Sequence, residues 1–495
     1  MNTKITRRQF ISRTSQIGAG FMILPAHTIS GLGHRSPSDK LHIAGVGIGG
    51  KGRWNLGAMK TENIVGLCDV DQKYAKKVFE EYQNARRFTD WRRMFDEMGD
   101  TIDAVMIATP DHTHALIAAA ALTMGKHVYC QKPLTHSIYE SRLLTRLAQQ
   151  HQVATQMGNQ GNSGHGVRQL SEWIWNGEIG EVREAHAWTN RPLWPQGQER
   201  PEEVMIVPES LDWDLFLGPA SYRPYNEVYT PWNWRGWWDF GTGAFGDMAC
   251  HVLDPIYRAL NLESPIAIQG NSSPMNDESA PQSEMVHFDF PEREAMEMVG
   301  MPPVTVHWYD GGLMPDRSVN MQDDENLMAD GMGGCMFVGS KDTLVCDTGG
   351  FNPRLLSGRV PNVVQSLRRI DGATGYIDGP HEQDWIRACK ESPENRVEGS
   401  AHFGYSGPFN EMVLLGVLAI RLQSLEKTLK WDGEKMRITN IGPHEELRVT
   451  QSVRNVMRNG VIRSGSELVS LPALEAANEY IRHEYHNGWE LPVMP

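Results

Sequence analysis

Asp247 and His251 stand four residues apart in a run, Ala244 to Leu260, whose composition suits a helix. Residues at i and i+4 project from one helical face, so both side chains can reach one cleft. A histidine there can act as a general base near neutral pH. An aspartate one turn away can orient it or bind a neighbouring hydroxyl. Metal binding is the competing use of the pair, with His112, His114 and His165 as further donors. No H-x-x-x-H or H-E-x-x-H spacing supports that use, and no metal is expected. A second group of residues suits phosphate binding. Gly45, Gly47 and Gly50 fit G-x-G-x-x-G at the end of the strand-like run Leu41–Val46. The first glycine permits a tight turn, the second lets backbone approach a pyrophosphate, and the third lets a helix pack closely. The next segment, Lys51–Met59, suits a helix whose first amides face the phosphates. Another strand-like run, Asn63–Cys68, ends in Asp69, 19 residues past Gly50. A carboxylate there accepts both ribose hydroxyls and repels a 2′-phosphate, which favours NAD over NADP. Lys51 and Arg53 leave a small opening for NADP.

The elements that must hold these residues can be read around them. Strand-like runs recur at Ala104–Ala108 and His127–Cys130, separated by an Ala-rich helical stretch from His114 to Met124. That βαβ alternation predicts an α/β, doubly wound parallel sheet. Beyond residue 260, apolar runs (Met285–Phe290, Val304–Trp308, Gly334–Val338, Thr343–Asp347) alternate with Gly/Pro/Asn-rich turns, predicting a mainly antiparallel sheet. Residues 270–282 and 310–333 read as loops, and Glu411–Gln423 and Leu474–His486 as helices. Nine of the fifteen tryptophans fall between Trp173 and Trp238. Flat apolar rings interleaved with hydrogen-bonding groups suit a carbohydrate cleft, and plain core packing is the equal alternative. Trp234, Arg235, Trp238 and Asp239 are the expected substrate contacts.

Three segments together resemble the Gfo/Idh/MocA oxidoreductases. They are Ala108-Thr109-Pro110-Asp111-His112-Thr113-His114, Gln131-Lys132-Pro133, and the run from Gly241 to His251. The likeness spans residues 40–260, and Leu211–Asp214 with the Phe403–Arg421 stretch extends it. The resemblance implies a Rossmann domain followed by an α+β domain with a large sheet. It also implies NAD-dependent oxidation or reduction of a sugar or polyol hydroxyl, and homo-oligomers. It places Gly45, Gly47, Ile48, Gly49, Gly50, Asp69, Thr109, Pro110, His114 and Gln131 at the cofactor, and Lys132 at cofactor and substrate. In the family the turn reads Glu-Lys-Pro, so Gln131 removes a negative charge beside Lys132. With Lys132 stabilising a developing alkoxide, Asp247 and His251 complete a catalytic trio. Some relatives of the family use a transient keto sugar to cleave glycosides, which is the alternative activity. A non-catalytic sugar-binding protein is a third reading, and the intact trio argues against it.

Thr6-Arg7-Arg8-Gln9-Phe10-Ile11, followed by a short apolar stretch, resembles a twin-arginine export signal. The expected location is therefore periplasmic, with NAD carried out inside the folded protein. The expected organisation is signal and linker 1–38, NAD domain 39–160, substrate and oligomerisation domain 161–450, and a C-terminal helical extension 451–495. The net charge of −14 argues against nucleic acid or an anionic membrane as partner, and no membrane anchor is expected. The six cysteines form no CxxC pair, and Cys68, Cys130 and Cys346 read as small buried hydrophobes.

Overall fold

Six short strands build the first sheet: β1 (His42–Val46), β2 (Asn63–Cys68), β3 (Arg86–Phe88), β4 (Ala104–Ile107), β5 (His127–Cys130) and β6 (Thr155–Met157). The computed structural model describes residues 39–495 apart from 319, 320, 322, 324, 376, 377, 459 and 460. The expected export segment lies outside the described residues. The six strands pair in parallel in the order β3-β2-β1-β4-β5-β6. Every residue of β4 is buried, as a strand covered on both faces requires. Strand order reverses between β1 and β4, which opens a crevice at the carboxyl ends of those strands. Helices Gly50–Ala58, Asp111–Thr123 and Ile138–His151 flank the sheet. The last starts at a capping box in which Ser137 and Glu140 satisfy each other's backbone amides.

The second sheet is larger and mixed. Its strands are β7 (Val182–Thr189), β8 (Ala267–Ser272), β9 (Glu284–Phe290), β12 (Val304–Tyr309), β13 (Gly333–Gly339), β14 (Thr343–Asp347), β15 (Arg354–Leu355), β16 (Leu429–Asp432) and β17 (Arg437–Ile438). β10 (Arg293–Met296) and β11 (Val299–Met301) pair separately. The sheet order is β15-β14-β13-β7-β12-β9-β8-β16-β17. All its pairs are antiparallel except β7 with β12. Alternation along β12 buries Val304, Val306 and Trp308 and turns Thr305, His307 and Tyr309 to the other face. On the buried side Phe245 packs on Trp308 and Phe288, with ring centroids 5.1 and 6.3 Å apart. Burying each such ring contributes on the order of 2–3 kcal/mol. The Phe403–Arg421 helix is long and apolar enough to cross a membrane, yet it packs as a core helix against Ile138–His151 and β8.

Two expectations need correction. The run Ala244–Leu260 is not one helix but two, Gly243–Val252 and Asp254–Ala259, broken where Pro255 lacks an amide to continue the ladder. The extension 451–495 is not mainly helical. It continues strand β18 (Glu446–Arg458), which pairs with β19 (Val461–Pro472), and among the described residues only Ala473–Ile481 is helical.

Candidate active site

The glycine-rich loop begins where β1 ends at Val46. Gly47 has φ +73°, and a Cβ there would lie 2.6 Å from the backbone of Ala108 and Thr109. Gly49 is the N-cap of the Gly50–Ala58 helix. A Cβ on Gly52 would lie 2.1 Å from the Gly47 carbonyl oxygen, so this glycine sets the close packing of helix on loop. The working fingerprint is therefore Gly47-x-Gly49-x-x-Gly52, two residues beyond the expected frame. Gly45 lies inside β1, paired with Leu67 and Met106, and the Ile48 side chain is buried. Neither side of the cleft is formed by them. Gly47, Gly49 and Gly50 do line it, with Asp69, Thr109, Pro110 and Gln131.

Asp69 closes the loop from the end of β2. Its Oδ2 accepts from the amides of Ile48 (2.9 Å) and Gly49 (3.0 Å), and Oδ1 accepts from Asp71 (2.9 Å). Burial pushes its carboxyl up to about 6, against the pull of those amides. A glycine loop, amides at a helix start, and a carboxylate at the end of β2 fit a dinucleotide, with the Tyr74 ring lying against Gly49 and Gly50.

Lys132 follows β5 and points across the cleft. Its ammonium donates to Asp247 Oδ1 (2.7 Å) and to the Asp247 carbonyl (3.0 Å). Arg235 Nε donates to the same Oδ1 at 3.1 Å. Burial works to raise the Asp247 pKa, but Lys132 and Arg235 outweigh it and hold the carboxyl well below the usual range. His251 sits one helical turn on, buried on the same cleft. Burial first, then the Lys132 charge, depress its pKa well below the ordinary value, so the imidazole is neutral at pH 7. The trio expected from sequence is thus assembled in one place, on a cleft of about 450 Å³ that also holds the glycine loop.

Other expected contacts fall elsewhere. His114 does not line the cleft. Its ring spans the Pro133 (2.8 Å) and Thr109 (2.9 Å) carbonyls, so it positions the turn behind Lys132. Trp234 and Arg235 line the cleft, with the Arg235 guanidinium 4.2 and 4.3 Å from the Trp232 and Trp234 rings. Trp238 and Asp239 do not. The chain turns after the short 3₁₀ segment Asn233–Gly236, and Asp239 then ion-pairs with buried Arg223 while Trp238 lies under Arg421. Trp213 and Trp237 belong to an aromatic core with Phe216, Tyr229 and Phe240. For most of the tryptophan cluster, core packing is the outcome.

Several groups at the site were not singled out from sequence. Asp111 is buried, and burial followed by the nearby Asp247 charge pushes its carboxyl up to about 7. Thr242 donates to its Oδ2 at 2.9 Å. Gln131 donates to Asn55 Oδ1 (2.9 Å), and Asn55 donates to Glu382 Oε1 (2.8 Å), as does the Tyr129 hydroxyl (3.2 Å). A carboxylate thus lies two hydrogen bonds behind Gln131, supplied by the distant helix Pro380–Cys389. Tyr74, Trp91, Arg191 and Trp489 also line the cleft, and nothing in their local sequence marks them.

Fold and cleft define a Rossmann-type nucleotide-binding domain followed by a domain built on a large mixed sheet. Residues 40–159 match the NAD-binding Rossmann domain of the Gfo/Idh/MocA oxidoreductases, and residues 179–294 match that family's C-terminal alpha/beta domain. Both matched regions are therefore similar to domains of the Gfo/Idh/MocA oxidoreductases, and the N-terminal one is an NAD-binding Rossmann domain. The chain is 29% identical over 177 residues to levoglucosan dehydrogenase of Pseudarthrobacter phenanthrenivorans, covering 34% of this chain and 37% of that one. With inositol 2-dehydrogenase of Rhodococcus jostii it shares 32% over 183 residues, 36% of this chain and 48% of that one. The chain thus spans less than half the length of these curated relatives. Among solved structures, the WlbA dehydrogenase of Chromobacterium violaceum, in complex with NADH and UDP-GlcNAcA, superposes with a TM-score of 0.55 at 15% identity. That match covers 80% of this chain and 97% of the other, and it shows the shared fold.

Proposed function

We propose that the protein oxidises or reduces a hydroxyl-bearing carbon of a sugar, glycoside or polyol. The observation that carries the reading is the meeting of Lys132, Asp247 and neutral His251 on the cleft of the NAD-binding loop. NAD, when bound, supplies the two-electron acceptor or donor. Gly47 and Gly49 would hold its pyrophosphate, and the Asp69 carboxylate would accept hydrogen bonds from its ribose hydroxyls. The His251 imidazole takes the proton from the substrate hydroxyl as the carbon is oxidised, and returns it in the reverse direction. The Lys132 ammonium stabilises the oxygen as it gains negative charge. Asp247 holds Lys132 and Arg235 in position from one carboxylate oxygen. Arg235, stacked between Trp232 and Trp234, offers hydrogen bonds beside flat apolar faces, the pairing that sugar rings need. Levoglucosan and inositol dehydrogenases among the relatives support this substrate class.

The reading includes export, supported by Arg7-Arg8 and the apolar stretch after them. An exported enzyme must keep its cofactor through the cycle, and homo-oligomers follow from the resemblance. The test supplies free sugars, polyols and glycosides to purified protein with no added NAD, following bound-NADH absorbance and products by mass. The expected result is substrate-dependent absorbance in the wild type, with turnover when a keto-sugar acceptor is present. His251→Ala should keep NAD and lose roughly 10²–10⁴-fold in rate. Activity of His251→Ala within a few-fold of wild type would remove the base. Strict dependence on free NAD would remove export with cofactor.

A further inference from the structure

The registers of the large sheet place three imidazoles in one row. His186 on β7 pairs with His307 on β12, and His307 pairs with His287 on β9. Paired residues on adjacent strands share a face. That face is opposite Trp308 and Phe288, hence opposite the Gly243–Val252 helix that carries Asp247 and His251. Glu184, two residues before His186, projects from the same side.

Its Oε1 is 3.3 Å from His186 Nε2 and 3.3 Å from His307 Nε2. A charge-assisted hydrogen bond is shorter, about 2.7–2.9 Å. Ligand atoms on a tetrahedral ion with bonds of about 2.0–2.1 Å stand roughly 3.3–3.4 Å apart. The three donor atoms all lie within 4.8 Å of one another. The far nitrogens of both rings are also engaged. His186 Nδ1 is 3.3 Å from the Tyr309 hydroxyl, and His307 Nδ1 hydrogen-bonds His287 Nδ1. Metal-ligating histidines show that arrangement, because a bond at one nitrogen fixes the ring and its tautomer so that the other can coordinate. The two rings stack nearly parallel, 16° apart with centroids at 4.9 Å, which aims both Nε2 atoms toward Glu184.

We propose that Glu184, His186 and His307 bind a divalent transition-metal ion of the zinc type, with Tyr309 and His287 orienting the two imidazoles. Two imidazoles and one carboxylate suit an ion of borderline softness and leave a fourth position for water or another donor. The ion would bridge β7 and β12, the parallel pair of the sheet, and so pin their register.

The experiment strips the full-length protein with a chelator, reloads it with Co²⁺ or Zn²⁺, and reads bound metal by elemental analysis. One ion per chain is expected, with the visible absorption of low-coordinate Co²⁺ and a rise in Tm. His186→Ala and His307→Ala should each lose the ion, the Co²⁺ absorption and the Tm rise. Circular dichroism and bound NAD should stay unchanged. His287→Phe, which keeps all three ligands, should weaken binding about 10–100-fold. Metal that survives both alanine substitutions would overturn the proposal. So would wild-type protein that retains none against a weak competing chelator, or a Co²⁺ spectrum indifferent to His287.

Discussion

Replacing Lys132 by Met keeps the length of the side chain and removes its charge, and two effects can be separated. The first is on rate. If Lys132 stabilises the developing alkoxide, its loss should cost about 2.7–4 kcal/mol of transition-state stabilisation, or 10²–10³-fold in kcat. The second is on stability. Breaking a buried ion pair costs about 3–5 kcal/mol when the surviving charge is left alone. Asp247 is not left alone, because Arg235 Nε remains 3.1 Å from its Oδ1. The cost should therefore fall nearer 1–3 kcal/mol, that of one lost hydrogen bond to a charged group. Its pH dependence has a definite sign. Asp247 has a depressed folded pKa, so its stabilisation is present above the unfolded carboxylate pKa and lost as pH falls through the folded value. Lys132→Met weakens that depression. The Tm deficit of the variant should be full at pH 7 and shrink as the solution is acidified below about pH 4. The assay pairs single-turnover NADH absorbance with thermal unfolding of NAD-loaded protein at both pH values. A variant within a few-fold of wild-type kcat, or a Tm deficit that grows with acid, would refute the roles assigned to Lys132 and Asp247.

Asp69→Ala removes the acceptor for the Ile48 and Gly49 amides and the carboxylate that repels a 2′-phosphate. NAD should bind more weakly and discrimination against NADP should relax, and a variant with unchanged preference in a binding titration would exclude this role. For Asp111, the folded pKa of about 7 lies above the ordinary 3.8, so folding takes up a proton and stability falls as pH rises between those values. Asp111→Asn should leave stability unchanged near pH 4 and raise it by on the order of 2–4 kcal/mol at pH 8, and an unfolding titration showing no gain there would contradict the raised pKa.

The Rossmann half was legible because its signals are local. A buried strand, glycines, helix and acid follow one another from β1 to Asp69, and Lys132 was found through the family resemblance of the Gln131-Lys132-Pro133 turn after β5. Asp247 and His251 were legible because one helical turn joins them. The glycine frame was misplaced because Gly45 to Gly52 contain two overlapping G-x-G-x-x-G matches, and only the packing of Gly52 on the Gly47 carbonyl separates them. Trp238 and Asp239 were misassigned because no spacing rule says which way a chain faces after a 3₁₀ turn. Glu382, Trp489 and the row His186–His307–His287 depend on contacts between residues far apart in the chain, and no local pattern encodes those.

The path Gln131–Asn55–Glu382 has a consequence for how chains of this fold can be recombined. Glu382 belongs to a helix near the end of the substrate half, yet it is fully buried and answers Asn55 and Tyr129 of the nucleotide half. A chimera grafting a foreign nucleotide module onto residues beyond 160 would take both donors from Glu382 Oε1 and leave the buried carboxylate with the Gly379 amide on Oε2, unless the graft brought equivalents of both partners. The two halves are therefore poor modules for exchange, and successful hybrids should be those whose crossover respects this one seam.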